Sequence, residues 1–235
     1  MYPLVILAGG MATRLGNIYI DTPKCLIPVA GKPFINWQVE YAAKQGIRDI
    51  YVCSGWLTNK VEEHFNKYKH ENLNITIIAD GNELLGTGGA INNILQFLPK
   101  HFFVLYGDTY LPIDFRALVD FYKKNINPEN SLLTIYKNNS QLDLSNIIYE
   151  NNVIIKYSKN KLEKKMKYID YGLSIMTQEA FTTYKHDRSF DLGNLYEFLV
   201  ENKLIHPYLV TERFYEIGTP ESLAETDKYF LKNFL

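Results

Sequence analysis

Arg14 and Lys24 are the residues in this chain whose types and setting most directly suggest chemistry. Arg14 closes the run Leu7-Ala8-Gly9-Gly10-Met11-Ala12-Thr13-Arg14-Leu15. A Gly pair at the end of a short apolar run lets backbone N–H groups come close to a ligand. Thr13 adds a hydroxyl and Arg14 a guanidinium fork, which together suit a polyphosphate. Lys24 lies in Thr22-Pro23-Lys24-Cys25-Leu26-Ile27-Pro28-Val29-Ala30-Gly31-Lys32-Pro33, where Pro23 and Pro28 stiffen the backbone around it. A fixed lysine opposite a fixed arginine makes a two-cation clamp for a triphosphate. The order is neither that of a Walker loop nor G-x-G-x-x-G. Taken alone, Gly9-Gly10 is ordinary turn chemistry, and Lys24 an exposed loop residue.

Such groups need a scaffold, and the hydrophobic pattern predicts one. Strands are expected at Leu4 to Leu7, Asp49 to Cys53, Ile75 to Ala79 and Phe102 to Tyr106. Helices are expected at Phe34 to Gln45, Thr58 to Tyr68 with Thr58 as cap, Gly88 to Phe97 and Asp114 to Lys124. The βαβα rhythm predicts an α/β fold with a mixed, mainly parallel central sheet flanked by helices. Further strands are expected at Leu132 to Tyr136, Asn146 to Tyr149, Val153 to Tyr157 and Tyr168 to Met176, with Asn151-Asn152 as a tight turn. Helices at Leu192 to Glu201 and Pro220 to Phe230 complete the chain. The charged stretch from Lys159 to Lys167 reads, for most of its lysines, as a solvated loop.

The two cationic segments together spell G-G-x-x-T-R-L…P-K-x-L-x-P-V-x-G-x-P. With this signature, and over nearly its whole length, the chain resembles the sugar-1-phosphate nucleotidylyltransferases. It is most similar to short bacterial members that activate mannose-1-phosphate or heptose-1-phosphate with GTP. The resemblance implies a Rossmann-like nucleotidyltransferase fold spanning 1–235 as one domain. About 1–125 would bind nucleotide and about 126–235 the sugar phosphate. Leu7, Ala8, Gly9, Gly10 and Thr13, with Gly86, Thr87 and Gly88 of Leu85-Gly86-Thr87-Gly88-Gly89-Ala90, would form the nucleotide slot. There glycines permit a flat backbone approach and a helix start offers N–H groups. Arg14, Lys24 and Asp108 would be catalytic.

Asp108 ends the strand Leu105-Tyr106-Gly107-Asp108, where a carboxylate points into the ligand crevice, and the family uses it as a metal ligand, with Mg²⁺ as cofactor. Glu216, in Phe214-Tyr215-Glu216-Ile217-Gly218, matches the second metal carboxylate, although many relatives carry Asp there. Glu is one methylene longer. It would sit further back, bind through water, or leave the metal to Asp108 and phosphate. On the sugar side, Lys159 falls on the lysine that meets the sugar phosphate, Ser158 replacing the family's preceding Glu. Asp170 and Gly172 fall on the strand that meets the sugar ring.

Bulk properties agree with this reading. A net charge of −1 argues against a broad nucleic-acid face. No apolar run reaches the roughly 18 residues of a membrane span, and the N-terminus reads as a strand, not a signal peptide. Two cysteines, Cys25 and Cys53, make neither a disulfide framework nor a zinc site, which suits the cytoplasm. The five histidines show no metal-ligand spacing, and no G-x-S-x-G is present. A glycosyltransferase of related fold commonly carries D-x-D, and Asp108-Thr109-Tyr110 lacks its second carboxylate. The expected partners are a nucleoside triphosphate and a sugar 1-phosphate, with homo-oligomerisation left open. CTP, UTP or dTTP with another phosphorylated sugar or polyol, and a non-catalytic regulatory paralogue, stand as alternatives.

Overall fold

The computed structural model describes residues 1–16, 19–68, 70, 72–81 and 83–234. Its first half runs β1 (Leu4–Leu7), β2 (Pro28–Val29), β3 (Lys32–Pro33), α1 (Phe34–Lys44), β4 (Asp49–Ser54), α2 (Thr58–Lys67), β5 (Asn74–Ala79), α3 (Gly86–Ile94), β6 (His101–Tyr106), β7 (Thr109–Tyr110) and α4 (Phe115–Asn125). The second half runs β8 (Ser131–Lys137), β9 (Ile147–Glu150), β10 (Val153–Tyr157), β11 (Tyr168–Thr177), α5 (Gln178–Thr183), α6 (Leu192–Glu201), β12 (Ile205–Val210), β13 (Tyr215–Glu216) and α7 (Pro220–Phe234).

β1 is the pivot. It pairs in parallel with β4 on one side and β6 on the other, and β4 continues to β5. The chain therefore leaves β1 in one direction, runs out to β5 and returns to the opposite flank. Such a reversal opens a crevice beyond the carboxyl ends of the strands. All four residues of β1 are buried, as a strand covered on both faces requires. Leu4 and Ile6 pack with Ile35, Val39, Val61, Phe115 and Leu118 from α1, α2 and α4. Val5 and Leu7 pack on the other face with Ile91, Ile94, Phe181, Leu195 and Leu199 from α3, α5 and α6. A third, aromatic core joins Phe34, Trp37, Tyr110 and Phe230, docking α7 on α1.

Beyond β6 the sheet becomes antiparallel. β11 pairs with β6 through Leu173–Thr177 and with β8 on its other edge, and β12 adds parallel to β8. β9 and β10 form a hairpin that meets β11 at Tyr168. The Asn151-Asn152 turn has both residues at positive φ, 50° and 61°, the backbone of a tight hairpin turn. β11 bends midway: the β8 register shifts between Asp170 and Ser174, and Gly172 sits there at φ 102°. That conformation is one an L side chain rarely adopts, so glycine makes the bend.

The predicted elements appear with their ends moved by a few residues, apart from one cap. Thr58 does not cap α2: Leu57 precedes the helix at φ 53°, and the Thr58 hydroxyl donates back to Ser54 O and Gly55 O. α5, β12 and the two-residue strands β2, β3, β7 and β13 were not expected. β12 carries Pro207 and pairs along one edge only, where a missing N–H is tolerated. Among the described residues no helix is long and apolar enough to cross a membrane.

Candidate active site

The first glycine loop follows β1, and Gly107-Asp108 follows the neighbouring β6. The two strand ends are pressed together: Gly107 N donates to Leu7 O, and a Cβ on Gly107 would stand 2.7 Å from that oxygen. Buried Gln38 on α1 braces the turn from beneath, its amide donating to Tyr106 O and Thr109 O at 2.8 Å. Asp108 is thereby presented at the crevice by a rigid backbone. Glu216 is brought alongside it because β13 pairs with β7, Glu216 opposite Thr109, and Ile217 N donates to Asp108 O.

Two adjoining cavities open here. The first is a slot lined by Leu7, Ala8, Gly9, Gly10, Lys24, Cys25, Cys53, Asp80, Leu84, Gly86, Thr87, Ala90, Tyr106, Gly107 and Asp108. The second is a broader basin reached by Arg14, Lys24, Thr87, Asp108, Lys159, Asp170, Gly172 and Glu216. Lys24, Thr87, Tyr106 and Asp108 line both, so the slot and the basin meet at the lysine and the carboxylate.

Lys24 starts a short 3-10 turn immediately after Pro23, and its Nζ donates to Asp108 Oδ2 at 2.6 Å. The ammonium is largely covered and the carboxylate about one-third exposed, so the pair stands at the basin floor with its anionic side accessible. Arg14 reaches the same basin from an exposed 3-10 turn, Thr13–Leu15. Arg14, Lys24 and Asp108 thus converge on one space. Gly10 has no packing reason to be glycine: its φ is not positive, and a Cβ there would come no nearer than 4.0 Å, to the Lys24 stem. The room it leaves faces the slot. Gly9 differs, since a Cβ would press on Gly55 N at 3.2 Å.

Two predicted residues, Thr13 and Gly88, sit elsewhere than on a cavity wall. Thr13 is exposed and lines neither cavity. Gly88 is buried against Phe190, whose ring would stand 2.1 Å from an added Cβ. The Gly88 and Gly89 N–H groups both donate to Phe190 O, so these helix-start donors are already used inside the protein. Gly86, at φ 69°, and Thr87 do line the slot.

On the basin side, Asp170 accepts from the hydroxyls of Tyr106 and Tyr157, both at 3.2 Å, and from Gly172 N. Burial raises its carboxyl above the ordinary range, opposed by the Lys159 charge and these three donors. Lys159 Nζ donates to Asp191 Oδ1 at 3.1 Å and lies 5.3 Å from the Tyr106 ring centroid. Burial pushes the Asp191 carboxyl up, but Lys159, Gly193 N–H and Thr87 outweigh it and hold it below the usual range. Cys25 and Cys53 line the slot yet are buried, and burial pushes both thiols up to about 12. They are packing residues, not nucleophiles.

Sequence reasoning passed over Asp80, Tyr106 and Asp191. Asp80 follows β5 as Asp108 closes its own strand run, so the strand-end argument applied to one would have found the other. Its Oδ2 accepts from Leu85 N at 3.1 Å, while Oδ1 accepts no hydrogen bond from the described residues. Burial raises its carboxyl, partly offset by that Leu85 N–H. Asp191 caps α6, a role readable from Asp before an apolar helix, but its grip on Lys159 is a tertiary contact.

The sequence profile described as nucleotidyl transferase matches residues 4–232. The chain is 33% identical, over 92% of its length and 95% of the relative's, to D-glycero-alpha-D-manno-heptose 1-phosphate guanylyltransferase of Campylobacter jejuni. It is 26% identical to mannose-1-phosphate guanyltransferase of Saccharomyces cerevisiae, over 97% of this chain and 64% of that one. HddC from Yersinia pseudotuberculosis, solved in complex with GMP-PN, superposes with a TM-score of 0.81 at 26% identity, covering 98% of this chain and 100% of that one. The chain belongs to the nucleotidyl transferase family, among the sugar-1-phosphate nucleotidylyltransferases.

Proposed function

We propose that this enzyme uses GTP and a heptose or mannose 1-phosphate, with Arg14, Lys24 and Asp108 as its catalytic residues. An oxygen of the sugar 1-phosphate attacks the α-phosphorus of the triphosphate, one P–O bond forms, the bond to the β-phosphate oxygen breaks, and pyrophosphate leaves. A phosphate monoester is ionised at neutral pH, so no strong general base is required. The chain's work is alignment and charge neutralisation. Lys24, where slot and basin meet, holds the α-phosphate and the incoming phosphate. Arg14, at the outer wall, stabilises charge gathering on the departing pyrophosphate. Lys159 orients the sugar phosphate, and Asp170 with Gly172 meets the ring. The convergence of Arg14, Lys24 and Asp108 on one space carries this reading.

The donor set also fits a divalent cation. Asp108 and Glu216 offer hard carboxylate oxygens to the same basin, and among the described residues no third His, Cys, Asp or Glu completes a protein-only cage. Substrate phosphates would complete the shell, the arrangement typical of Mg²⁺. Held there, the cation would neutralise charge at the reacting phosphates.

Guanine is favoured because Asp80 places a carboxylate in the slot, one oxygen of which accepts no hydrogen bond from the described residues. Guanine presents two adjacent donors, N1–H and the 2-amino group. No other common base pairs with a carboxylate in this way. The names of the Campylobacter and Yersinia relatives support the same choice. The slot draws its walls from residues 7–108 and the basin adds 143–218, which supports a division near residue 125 within one catalytic domain. The two unpaired buried thiols suit a cytoplasmic enzyme.

A pyrophosphate-release panel of four triphosphates against sugar 1-phosphates tests the substrate assignment. Lys24→Ala and Asp108→Asn should each lower kcat by roughly 10²–10³ with little change in Tm. Near-normal turnover in both variants would remove these residues from the mechanism.

A further inference from the structure

The loop that walls the nucleotide slot and the lysine of the sugar side are joined by one short segment, residues 189–193. Phe190 N donates to Leu85 O, and Phe190 O accepts from both Gly88 N and Gly89 N. The Ser189 hydroxyl donates to Leu84 O. Leu192 N donates to the Thr87 hydroxyl at 2.8 Å, and that hydroxyl donates in turn to Asp191 Oδ2 at 3.1 Å. The other Asp191 oxygen accepts from Gly193 N at 2.7 Å and from Lys159 Nζ at 3.1 Å. Gly193 completes the device. A Cβ on it would stand 2.8 Å from Asp191 Oδ1 and 3.0 and 3.1 Å from Cδ and Cε of Lys159, so the lysine stem and its partner oxygen both lie across the start of α6 in the space the glycine leaves.

We propose that Asp191 is a positioning residue, which aims Lys159 at the sugar phosphate and ties that aim to the loop forming the nucleotide slot. The inference rests on the role assigned to Lys159 above. An ammonium has three donors. One goes to Asp191, leaving two for the phosphate, so the tether directs the charge without consuming it. A free lysine must also be ordered when it binds, and long side chains lose much rotamer freedom in doing so. Here the ordering is done before the substrate arrives. Because Asp191 takes its second oxygen's bond from Thr87, the lysine is set in register with the slot.

The test is a double-mutant cycle, read with the sugar 1-phosphate that turns over best in the panel. Asp191→Asn keeps a side chain that caps helices well, removes the charge that holds Lys159 and turns an amide donor, in place of an acceptor oxygen, toward the Thr87 hydroxyl. Both partners are partly solvent-exposed, so the sugar-phosphate KM should rise by about three- to tenfold, with the KM for the triphosphate and the Tm unchanged. Gly193→Ala, which pushes on both the Asp191 oxygen and the lysine stem, should raise the same KM. In a Lys159→Met background Asp191→Asn should have no further effect, since its influence runs through the lysine. An unchanged sugar-phosphate KM in Asp191→Asn would overturn the proposal, as would an equal rise with Lys159 already removed. If Lys159→Met alone leaves that KM unchanged, the assignment of Lys159 falls and this inference with it. A strong Lys159→Met effect beside a silent Asp191→Asn overturns the inference alone.

Discussion

Asp80→Asn asks directly whether a side chain selects the base. In the slot, Oδ2 already takes the Leu85 N–H, and Oδ1 accepts no hydrogen bond from the described residues. The carboxylate can therefore give one oxygen fully to guanine and share the other. A hydrogen bond to a charged acceptor is worth about 1.5–3 kcal/mol. With one oxygen shared and the group half-buried, a net of about 2 kcal/mol is the reasonable expectation, or about 30-fold in kcat/KM. The amide of Asn keeps one acceptor and turns a donor toward a base edge that also donates. The assay compares GTP with ITP, which retains N1–H and lacks the 2-amino group. The native enzyme should prefer GTP by roughly tenfold or more, and Asp80→Asn should lose most of that preference while its Tm holds. An unchanged GTP/ITP ratio in the variant would refute a base-reading role for Asp80. A native enzyme faster with ATP, UTP or CTP would refute the guanine assignment itself.

The same carboxylate sets a pH dependence. Its folded pKa is raised by burial, so protonation removes the acceptor at a higher pH than for a free Asp. The GTP/ITP ratio should fall on acidification in the native enzyme and stay flat in Asp80→Asn, and taking the ratio cancels titration of the phosphates. Gly10→Ala and Gly88→Ala should separate function from packing. A Cβ at Gly10 meets no close protein atom, so that variant should keep its Tm and lose nucleotide affinity in calorimetry. A Cβ at Gly88 meets the Phe190 ring at 2.1 Å, so that variant should lose about 2 kcal/mol, or roughly 4–8 °C of Tm. Both thiols should resist a thiol reagent at pH 8 and become titratable in denaturant, because burial pushes them up to about 12.

Much of this was legible in the sequence because the relevant signals are local. A four-residue apolar run before Gly-Gly fixes a strand end, and Pro23 fixes the backbone entering the Lys24 turn. The alternation of Leu4 and Ile6 with Val5 and Leu7 announces a sheet with two covered faces. What stayed hidden depends on contacts across the fold. Gly88 reads as part of a ligand-binding glycine loop, and only the approach of Phe190, about one hundred residues later, shows that packing demands it. Thr87 likewise reads as a slot residue, while its hydroxyl spans to Asp191 and Leu192. β12 carries Pro207, a residue tolerated in a strand only where its missing N–H faces an open edge, and edge placement cannot be seen before the sheet is assembled.

Glu216 shows how a departure from a common pattern can be matched by its surroundings. The family's frequent Asp at this position would be one methylene shorter. Here Oε2 accepts from Gly218 N at 2.5 Å, and a Cβ on Gly218 would stand 2.4 Å from that oxygen. The bare glycine two residues on leaves room for the carboxylate in this position, and its N–H holds the group on the basin wall. Restoring the shorter side chain should not improve the enzyme. An Asp accepts the N–H two residues on as readily, as Asp170 does from Gly172 and Asp191 from Gly193, so Glu216→Asp can keep the Gly218 bond but draws the carboxylate back from the basin by one methylene. In a Mg²⁺ titration Glu216→Asp should need more metal for half-maximal rate, and Glu216→Gln more still, because it also loses the charge. A Glu216→Asp enzyme with native metal dependence would mean that the longer reach is idle. A Glu216→Gln enzyme with native metal dependence would leave Asp108 as the carboxylate on which the metal response depends.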